Sequence, residues 1–379
     1  VSDFFQWLAG LSPLLQIPVI LLSFAVVIGL ILAFVEVSTN RGRGFAILRL
    51  LAAVLVPVVI LLLLGLYASV MWVAAVAAVL GLAVYFFDRR SRAGAGTFLQ
   101  LSGFLAPAMI LLAIGLIYPT IRTAISAFMT NDGSGFAGLA NFVWVFTSPD
   151  GLTALLNTLI WVLVAPVVST IIGLAYAAFI DKSRGEKFFK LLVFMPMAIS
   201  FVGASIIFKF FYDARQGEQI GVLNAIITAF GAKPVDWLGL EPWNTLFLVI
   251  ILIWTQAGFA MVILSAAIKA VPAEQLEAAA LDGTTPWQSF MNVTLPGIRS
   301  SVIVVLTTIS IASLKVYDIV SSMTGGRSET TVLAYEMVRQ FQLGSRTGYS
   351  SALAVVLFVL VLPIIIYNVR QHKKQGGTR

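Results

Sequence analysis

The chain has 379 residues, 59% of them hydrophobic and only 11% charged, with a net charge of +7 at pH 7; a soluble domain carries about 25% charged residues, so water is not its only solvent. Cysteine is absent and His372 is the single histidine, which excludes a disulfide framework, a thiolate metal site and a histidine metal cluster. The basic residues fall between apolar runs, which sets nucleic acid aside and points to a bilayer.

Apolar runs at 14–35, 45–66, 69–87, 101–120, 152–180, 188–211, 245–268, 300–322 and 350–369 each approach or exceed the roughly 20 residues needed to cross a membrane. The pattern predicts an all-α integral membrane protein with about nine transmembrane helices, with 45–87 also readable as a tight hairpin turning near Tyr67-Ala68-Ser69. Cytoplasmic loops retain Lys and Arg. Here one alternating set of loops holds Arg41, Arg43, Arg49, Arg89, Arg90, Arg92, Lys182, Arg184, Lys187, Lys190, Lys269, Arg299, Arg370, Lys373, Lys374 and Arg379. The opposite set mixes a few cations with Asp132, Asp150, Asp213, Glu218, Asp236, Glu241, Glu329 and Glu336. That asymmetry puts the C-terminus in the cytoplasm and the N-terminus outside. The first run lacks a basic n-region and an obvious cleavage site, so it reads as a span and not as a cleaved signal. Stretches such as Phe136-Ala137-Gly138-Leu139-Ala140-Asn141-Phe142 read as short ordered external caps.

Between the runs at 245–268 and 300–322 lies a polar stretch, 269–299, that reads as two short helices. In Val271 to Gly283, Pro sits at a first-turn position, acids fill the early turns and Gly stands at the stop. Thr284 or Thr285 can cap a second helix that has Pro286 at its first position and runs from Trp287 to Val293. Glu277, Ala280 and Leu281 share a face at i, i+3 and i+4, presenting small residues beside an acid, which suits either docking in a partner's groove or a membrane-surface helix that joins two spans.

Glu277-Ala278-Ala279, Gly283, and then Val293-Thr294-Leu295-Pro296 after nine residues resemble the EAA loop of ABC-importer permeases, E-A-A-x3-G-x9-I-x-L-P, with Val for Ile as the one departure. From about residue 100 onward, Leu105-Ala106-Pro107, Tyr118-Pro119, Leu139-Ala140-Asn141-Phe142, Asn157-Thr158, Phe194-Met195-Pro196, Trp254 with Gly258-Phe259, and Leu314 to Asp318 followed by Thr324-Gly325-Gly326 resemble the carbohydrate, maltose-type branch. That branch usually has Phe-Asp where this chain has Tyr317-Asp318, and Gly-Gly-Pro where it has Gly325-Gly326-Arg327.

The resemblance implies a six-helix type I permease core at 97–370, preceded by about three extra helices in 1–96 and followed by a cytoplasmic tail at 371–379. It implies a multi-pass subunit of a prokaryotic cell membrane that forms half of a path for a sugar, such as an oligosaccharide or α-glucoside. The implied partners are a second permease, two copies of a cytoplasmic ATPase and an extracytoplasmic solute-binding protein, with no nucleic acid. Nothing matches G-x-x-x-x-G-K-[ST], so the chain is expected not to be an enzyme and to hold no cofactor, with ATP and Mg on the partner ATPase. The docking residues carried over are Glu277, Ala278, Ala279, Leu281, Asp282 and Gly283. External loops around 131–147, 216–240 and 325–348 are expected to receive the binding protein.

Ionisable and polar groups inside spans are functional candidates because burying them in lipid is costly. Gln256, between Trp254 and Gly258, suits a sugar's hydroxyls and apolar ring face. Asn157, Ser310 and Ser313 join it as candidates for the substrate path. Gly258, Lys315 and Asp318 are also candidates for the substrate path; Lys315 and Asp318, three apart, can share a helix face, where they either contact solute or form a structural ion pair. The rival reading is an ion-coupled secondary transporter, which predicts inverted repeats and interrupted helices; no inverted repeat is evident in the sequence.

Overall fold

The computed structural model describes residues 112–180, 183, 185–214, 220–344 and 346–376, and Thr120–Arg379 forms one compact unit. The runs at 14–35, 45–66 and 69–87, the opening of 101–120 and the boundary at 96/97 lie outside the described residues. Among the described residues the structure is helical, with one isolated antiparallel bridge between Met129 and Phe136.

A π turn at Ala113–Ile117 leads into α1, Tyr118–Ser126. Pro119 has no N–H to return to the preceding turn, and the wider turn falls just before it. The helix thus continues past the expected end at 120. A short helix α2, Ala140–Thr147, precedes α3, Pro149–Ile180. Ser148 caps α3 by accepting the Gly151 N–H at 3.1 Å, with Pro149 just inside the start. The run expected at 188–211 is not one straight helix. It consists of α4, Glu186–Phe194, a 3-10 turn at Met195–Ala198, and α5, Phe201–Tyr212, bent by 103°. Pro196 tightens the turn, and Ser200 starts the second arm by capping Gly203.

After α6, Val222–Ala229, comes α7, Asn244–Lys269. Next are α8, Ala273–Leu281; α9, Pro286–Ser289; a π turn at Phe290–Thr294; and α10, Leu295–Gly297. A 68° bend then opens α11, Arg299–Leu314. The run expected to continue to 322 breaks at Lys315 and resumes as α12, Asp318–Met323. An amphipathic helix α13, Leu333–Gln342, and α14, Thr347–Gly376, complete the chain. Helix α14 extends beyond the expected start of the tail at 371, through residues that are good helix formers.

Three helices, Pro149–Ile180, Asn244–Lys269 and Thr347–Asn368, are long and apolar enough to cross a membrane, and the bent pairs raise the number to five among the described residues. Large apolar side chains face outward along α3, including Leu156, Leu159, Leu163 and Ile171, as lipid or a partner helix requires and water penalises.

Close approach, more than side-chain bulk, organises the interior. A Cβ on Gly173 of α3 would stand 2.4 Å from Ala260 Cβ on α7, and one on Gly258 of α7 would stand 2.4 Å from the Val193 carbonyl of α4. Glycine at both contacts lets α7 sit against both neighbours, the small-residue solution used where lipid removes the hydrophobic drive between helices. Around α7 one apolar cluster gathers Trp161, Leu248, Leu252, Ile319 and Val320, and another gathers Ala177, Met261, Leu264, Ile298 and Ile309 beneath the two-helix loop.

Candidate functional site

The loop after α7 is built from local turn chemistry. Helix α8 ends where Gly283 adopts φ +75°, a left-handed conformation that glycine takes without Cβ strain. The Gly283 N–H donates to the Ala280 carbonyl at 3.1 Å, and the Thr284 N–H and hydroxyl both reach the Ala279 carbonyl, at 3.2 and 2.8 Å. These bonds satisfy carbonyls that the helix end leaves open. Thr285 then caps α9 in a reciprocal box: the Gln288 N–H donates to the Thr285 hydroxyl at 3.3 Å and the Thr285 N–H to Gln288 Oε1 at 2.8 Å.

That geometry divides the expected docking set. Ala279 is buried against the loop's own second half, whereas Glu277, Ala278, Leu281, Asp282 and Gly283 are exposed. Leu281 is 90% exposed, and Trp287, absent from the expected set, is 66% exposed and stacks near Phe290 with ring centroids 6.0 Å apart. Glu277 makes no hydrogen bond or ion pair among the described residues. At the loop's root, Lys269 bonds the Glu186 carboxylate at the start of α4, and Lys190 joins the same carboxylate oxygen at 2.9 Å and reaches the Ser265 hydroxyl.

The expected substrate-path residues separate into different environments. Gln256 is half-buried in mid-α7 and its amide has no hydrogen-bond partner among the described residues. Gly258 is a helix-contact glycine against Val193 and Phe194. Asn157 is fully engaged: its amide donates to the carbonyls of Glu329 and Thr331, at 2.5 and 2.8 Å, and its oxygen accepts from Thr245 at 3.2 Å. Ser310 and Ser313 return their hydroxyls to the carbonyls of Leu306 and Ile309, at 2.8 and 2.9 Å. Lys315 and Asp318 are both exposed, and no bond joins them. Helix α11 ends at Leu314, so the shared face that pairing needs does not exist. No group of His, Cys, Asp or Glu among the described residues has the arrangement of a metal site.

Residues 169–375 match the family model described as the binding-protein-dependent transport system inner membrane component. The chain belongs to this family. Among the relatives of this permease, the alpha-glucoside transport system permease protein of Rhizobium meliloti (strain 1021) is 45% identical over 72% of this chain and 82% of its own length. The osmoprotective compounds uptake permease protein of Synechocystis sp. is 44% identical over 73% of this chain and 100% of its own length. In fold, the permease is similar to a chain in the crystal structure of a bacterial ABC transporter that imports the acidic polysaccharide alginate, with a TM-score of 0.63, 24% identity, and coverage of 74% of this chain and 96% of that one.

At the end of the permease opposite the two-helix loop, α13 is tied to α3 by charge. Glu336, fully buried, accepts from Gln340 at 2.6 Å and from Arg339 at 2.9 Å, and Arg339 also reaches Asp150 in the first turn of α3 at 2.7 Å. Nearby in sequence to α2, Asp132 accepts from the hydroxyls of Thr130 and Ser134 and from the Ser134 N–H. Those bonds favour the carboxylate and hold its pKa down at about 2. The sequence reading missed Asn244, Thr245 and Glu336. Asn244 and Thr245 bond partners 84 and 88 positions away, which no local pattern discloses, whereas Glu336 meets Arg339 and Gln340 at i+3 and i+4, a helical spacing that could have found it.

Proposed function

We propose that this permease forms one half of the translocation path of an ATP-driven sugar importer and that the loop from Val271 to Leu295 is its coupling element. The observation that carries the reading is the loop itself. A preorganised helix pair, the second helix capped by Thr285, presents a carboxylate without a partner among the described residues, Glu277, and a 90% exposed leucine, Leu281. Burying that leucine in a partner's groove is worth about 1.5–3 kcal/mol, a reward water denies it in the isolated chain. Glu277, one turn before Leu281 on the same stripe, supplies the charge that selects a basic groove. Ala278, Asp282 and Gly283 complete the surface, and Ala279 fixes it to the second helix. A cytoplasmic ATPase holding ATP and Mg is the occupant, two copies serving this chain and a second permease. The family match favours this reading over an ion-coupled transporter, although interrupted helices are present.

The loop then lies in the cytoplasm with the C-terminus, and the opposite end, from Asn131 to Thr147 and from Gly325 to Gly348, faces a solute-loaded binding protein. The core at 97–370 carries transport. Gln256, the half-buried amide without a partner among the described residues, is the hydrogen-bonding residue offered to solute, with Gly258, Ser310 and Ser313 shaping the helices around it. The solute class follows from the relatives: an α-glucoside first, with an osmoprotective compound as the second reading because that relative is almost equally similar.

Two measurements test the reading. The permease is purified with its ATPase, comparing wild type with Glu277→Ala and Leu281→Ala at matched membrane insertion; both variants should lose the ATPase by roughly 10- to 100-fold in affinity, the equivalent of about 1.5–3 kcal/mol. Uptake of labelled trehalose, sucrose and glycine betaine into proteoliposomes then assigns the solute. Uptake driven by an ion gradient with no ATPase bound would overturn the proposal.

A further inference from the structure

Hydroxyls on the spanning helices of this permease have a regular outlet: those of Thr158, Ser205 and Thr307, like Ser310 and Ser313, donate to the carbonyl one turn back. Ser169 and Thr170 of α3 do not. Both are buried, at 0% and 4% exposure, and neither side-chain oxygen has a hydrogen-bond partner among the described residues; the indole N–H of Trp161, two turns earlier, has none either. Pro166 stands between them and has no N–H to give to the Val162 carbonyl. A buried hydroxyl left unpaired carries its full desolvation cost, which alanine or valine in the same space would not, so each asks for an explanation.

The register of α3 against α7 shows which residue Ser169 faces. Thr245 donates to Asn157, and Gly173 meets Ala260, contacts staggered by 88 and 87 positions. Two contacts with almost one stagger mean that the helices run side by side in the same direction. Ser169 stands one turn before Gly173, and Gln256 one turn before Ala260, each on the stripe that carries that contact. The two are therefore level, and because Gly173 and Ala260 let the backbones close up at the next turn, they are neighbours across the seam. Gln256 is half-buried, and its amide also lacks a partner among the described residues. Thr170, one position further, is turned about 100° around the helix and falls level with Ala257.

We infer that Ser169 is the positioning residue of Gln256. A primary amide has an acceptor end and a donor end. When Gln256 engages solute, the Ser169 hydroxyl donates to Gln256 Oε1 and leaves Nε2 to donate to a solute oxygen. Holding one end of a side chain with three rotatable bonds lowers the ordering cost of binding through the other, and a donor on the amide oxygen polarises the N–H that solute receives. No bond joins the two residues in this structure, so the pairing belongs to the engaged state. It gives a purpose to a hydroxyl in a seam whose next turn is closed by glycine and alanine. The inference rests on the reading of Gln256 as the solute-facing amide, and Ser169 itself touches no solute.

The test uses the complete importer in proteoliposomes, with both permeases, the ATPases and the binding protein, taking up whichever of labelled trehalose, sucrose or glycine betaine the wild type transports. Gln256→Ala and Ser169→Ala should each raise KM about fivefold with kcat nearly unchanged, and Ser169→Ala should add less than about twofold once Gln256 is already alanine, because a positioning residue then has nothing left to position. Thr170→Val, which removes the neighbouring unpaired hydroxyl, should move KM by less than about twofold. The melting temperature of the purified permease without solute should hold or rise in Ser169→Ala, since the hydroxyl makes no bond there. A Ser169→Ala effect of equal size in both backgrounds, or a melting temperature that falls, makes the serine structural and overturns the inference. So does a KM unmoved by Ser169→Ala where Gln256→Ala raises it, or one raised as much by Thr170→Val. If Gln256→Ala itself leaves KM unmoved, Gln256 is off the path and the inference falls with that part of the proposed function.

Discussion

Gly283 offers a graded test of why the two-helix loop has its shape. Its φ of +75° lies in the left-handed region, and a Cβ added there would meet nothing within 4 Å. Substitution therefore introduces no clash, and the whole cost is backbone strain, about 1–2 kcal/mol for an L residue. If the ATPase binds the loop in this turn, the strain appears as lost affinity, a factor of about 5–30. Asn tolerates the left-handed region better than Ala, and a β-branched residue tolerates it worse. The dissociation constant of purified ATPase for permease in nanodiscs should accordingly rise in the order Gly, Asn, Ala, Val. Detergent melting temperatures should stay level across the series, because the loop end is exposed and packs on nothing at that position. Equal affinity for Gly283→Ala and wild type would refute the argument. So would an Asn variant weaker than Ala, since side-chain chemistry and not backbone conformation would then be deciding.

Three further outcomes follow from the helix interior and the opposite end. Asn157→Ala leaves two backbone carbonyls without their donor, at about 1–3 kcal/mol each, so it should lower the melting temperature of the purified permease, while Gln256→Ala should leave melting unchanged and raise the KM for solute uptake. Gly258→Val forces a Cβ to within 2.4 Å of the Val193 carbonyl; overpacking of this kind costs about 1–3 kcal/mol or more, and fluorescence-detected size exclusion should show a collapsed yield where Gly283→Ala shows a normal one. Asp132, with its pKa lowered to about 2 from 3.8, stabilises its turn in full above about pH 4, and that contribution fades as pH falls toward 2. Infrared spectroscopy of carbon-13-labelled aspartate, comparing wild type with Thr130→Val, should show this carboxylate titrating higher once the largest of its hydrogen bonds is removed.

How much of this was legible depends on the range of the determining interaction. The ends of the two-helix loop's helices were readable because glycine at a helix stop, threonine before proline and glutamine three places later act within a single turn, whereas the π turn at Phe290–Thr294, where the sequence predicts helix to Val293, was not. Among the described residues, apolar runs located the candidate membrane segments but not their shape. Pro196 and Ser200 announce the 103° bend, and a reading by hydropathy alone passes over both. The stop of α11 at Leu314 has no such mark: Lys315-Val316-Tyr317 contains neither glycine nor proline, and tertiary packing of Val316 into the core ends the helix. Asn157 shows the limit most clearly. A buried amide in a spanning helix has one appearance in sequence whether it meets solute or backbone, and its partners lie 172 and 174 positions away.

The placement of α7 connects the two ends of the permease physically. Its first residue, Asn244, holds the Ser328 carbonyl, and its last, Lys269, bonds Glu186 at the root of the two-helix loop. Between them run 26 residues without proline, a rod of about 39 Å at 1.5 Å per residue. A rod of that kind cannot absorb a displacement along its own length. The neighbouring elements can, because α4 meets α5 at a 103° bend and the loop meets α11 at a 68° bend. Contacts at Gly173 and Gly258 are backbone-close and leave no soft side chain to compress, so α7 moves against α3 and α4 by discrete repacking or not at all. A push delivered at Lys269 is therefore either transmitted to Asn244 or stopped at one of those two glycine contacts.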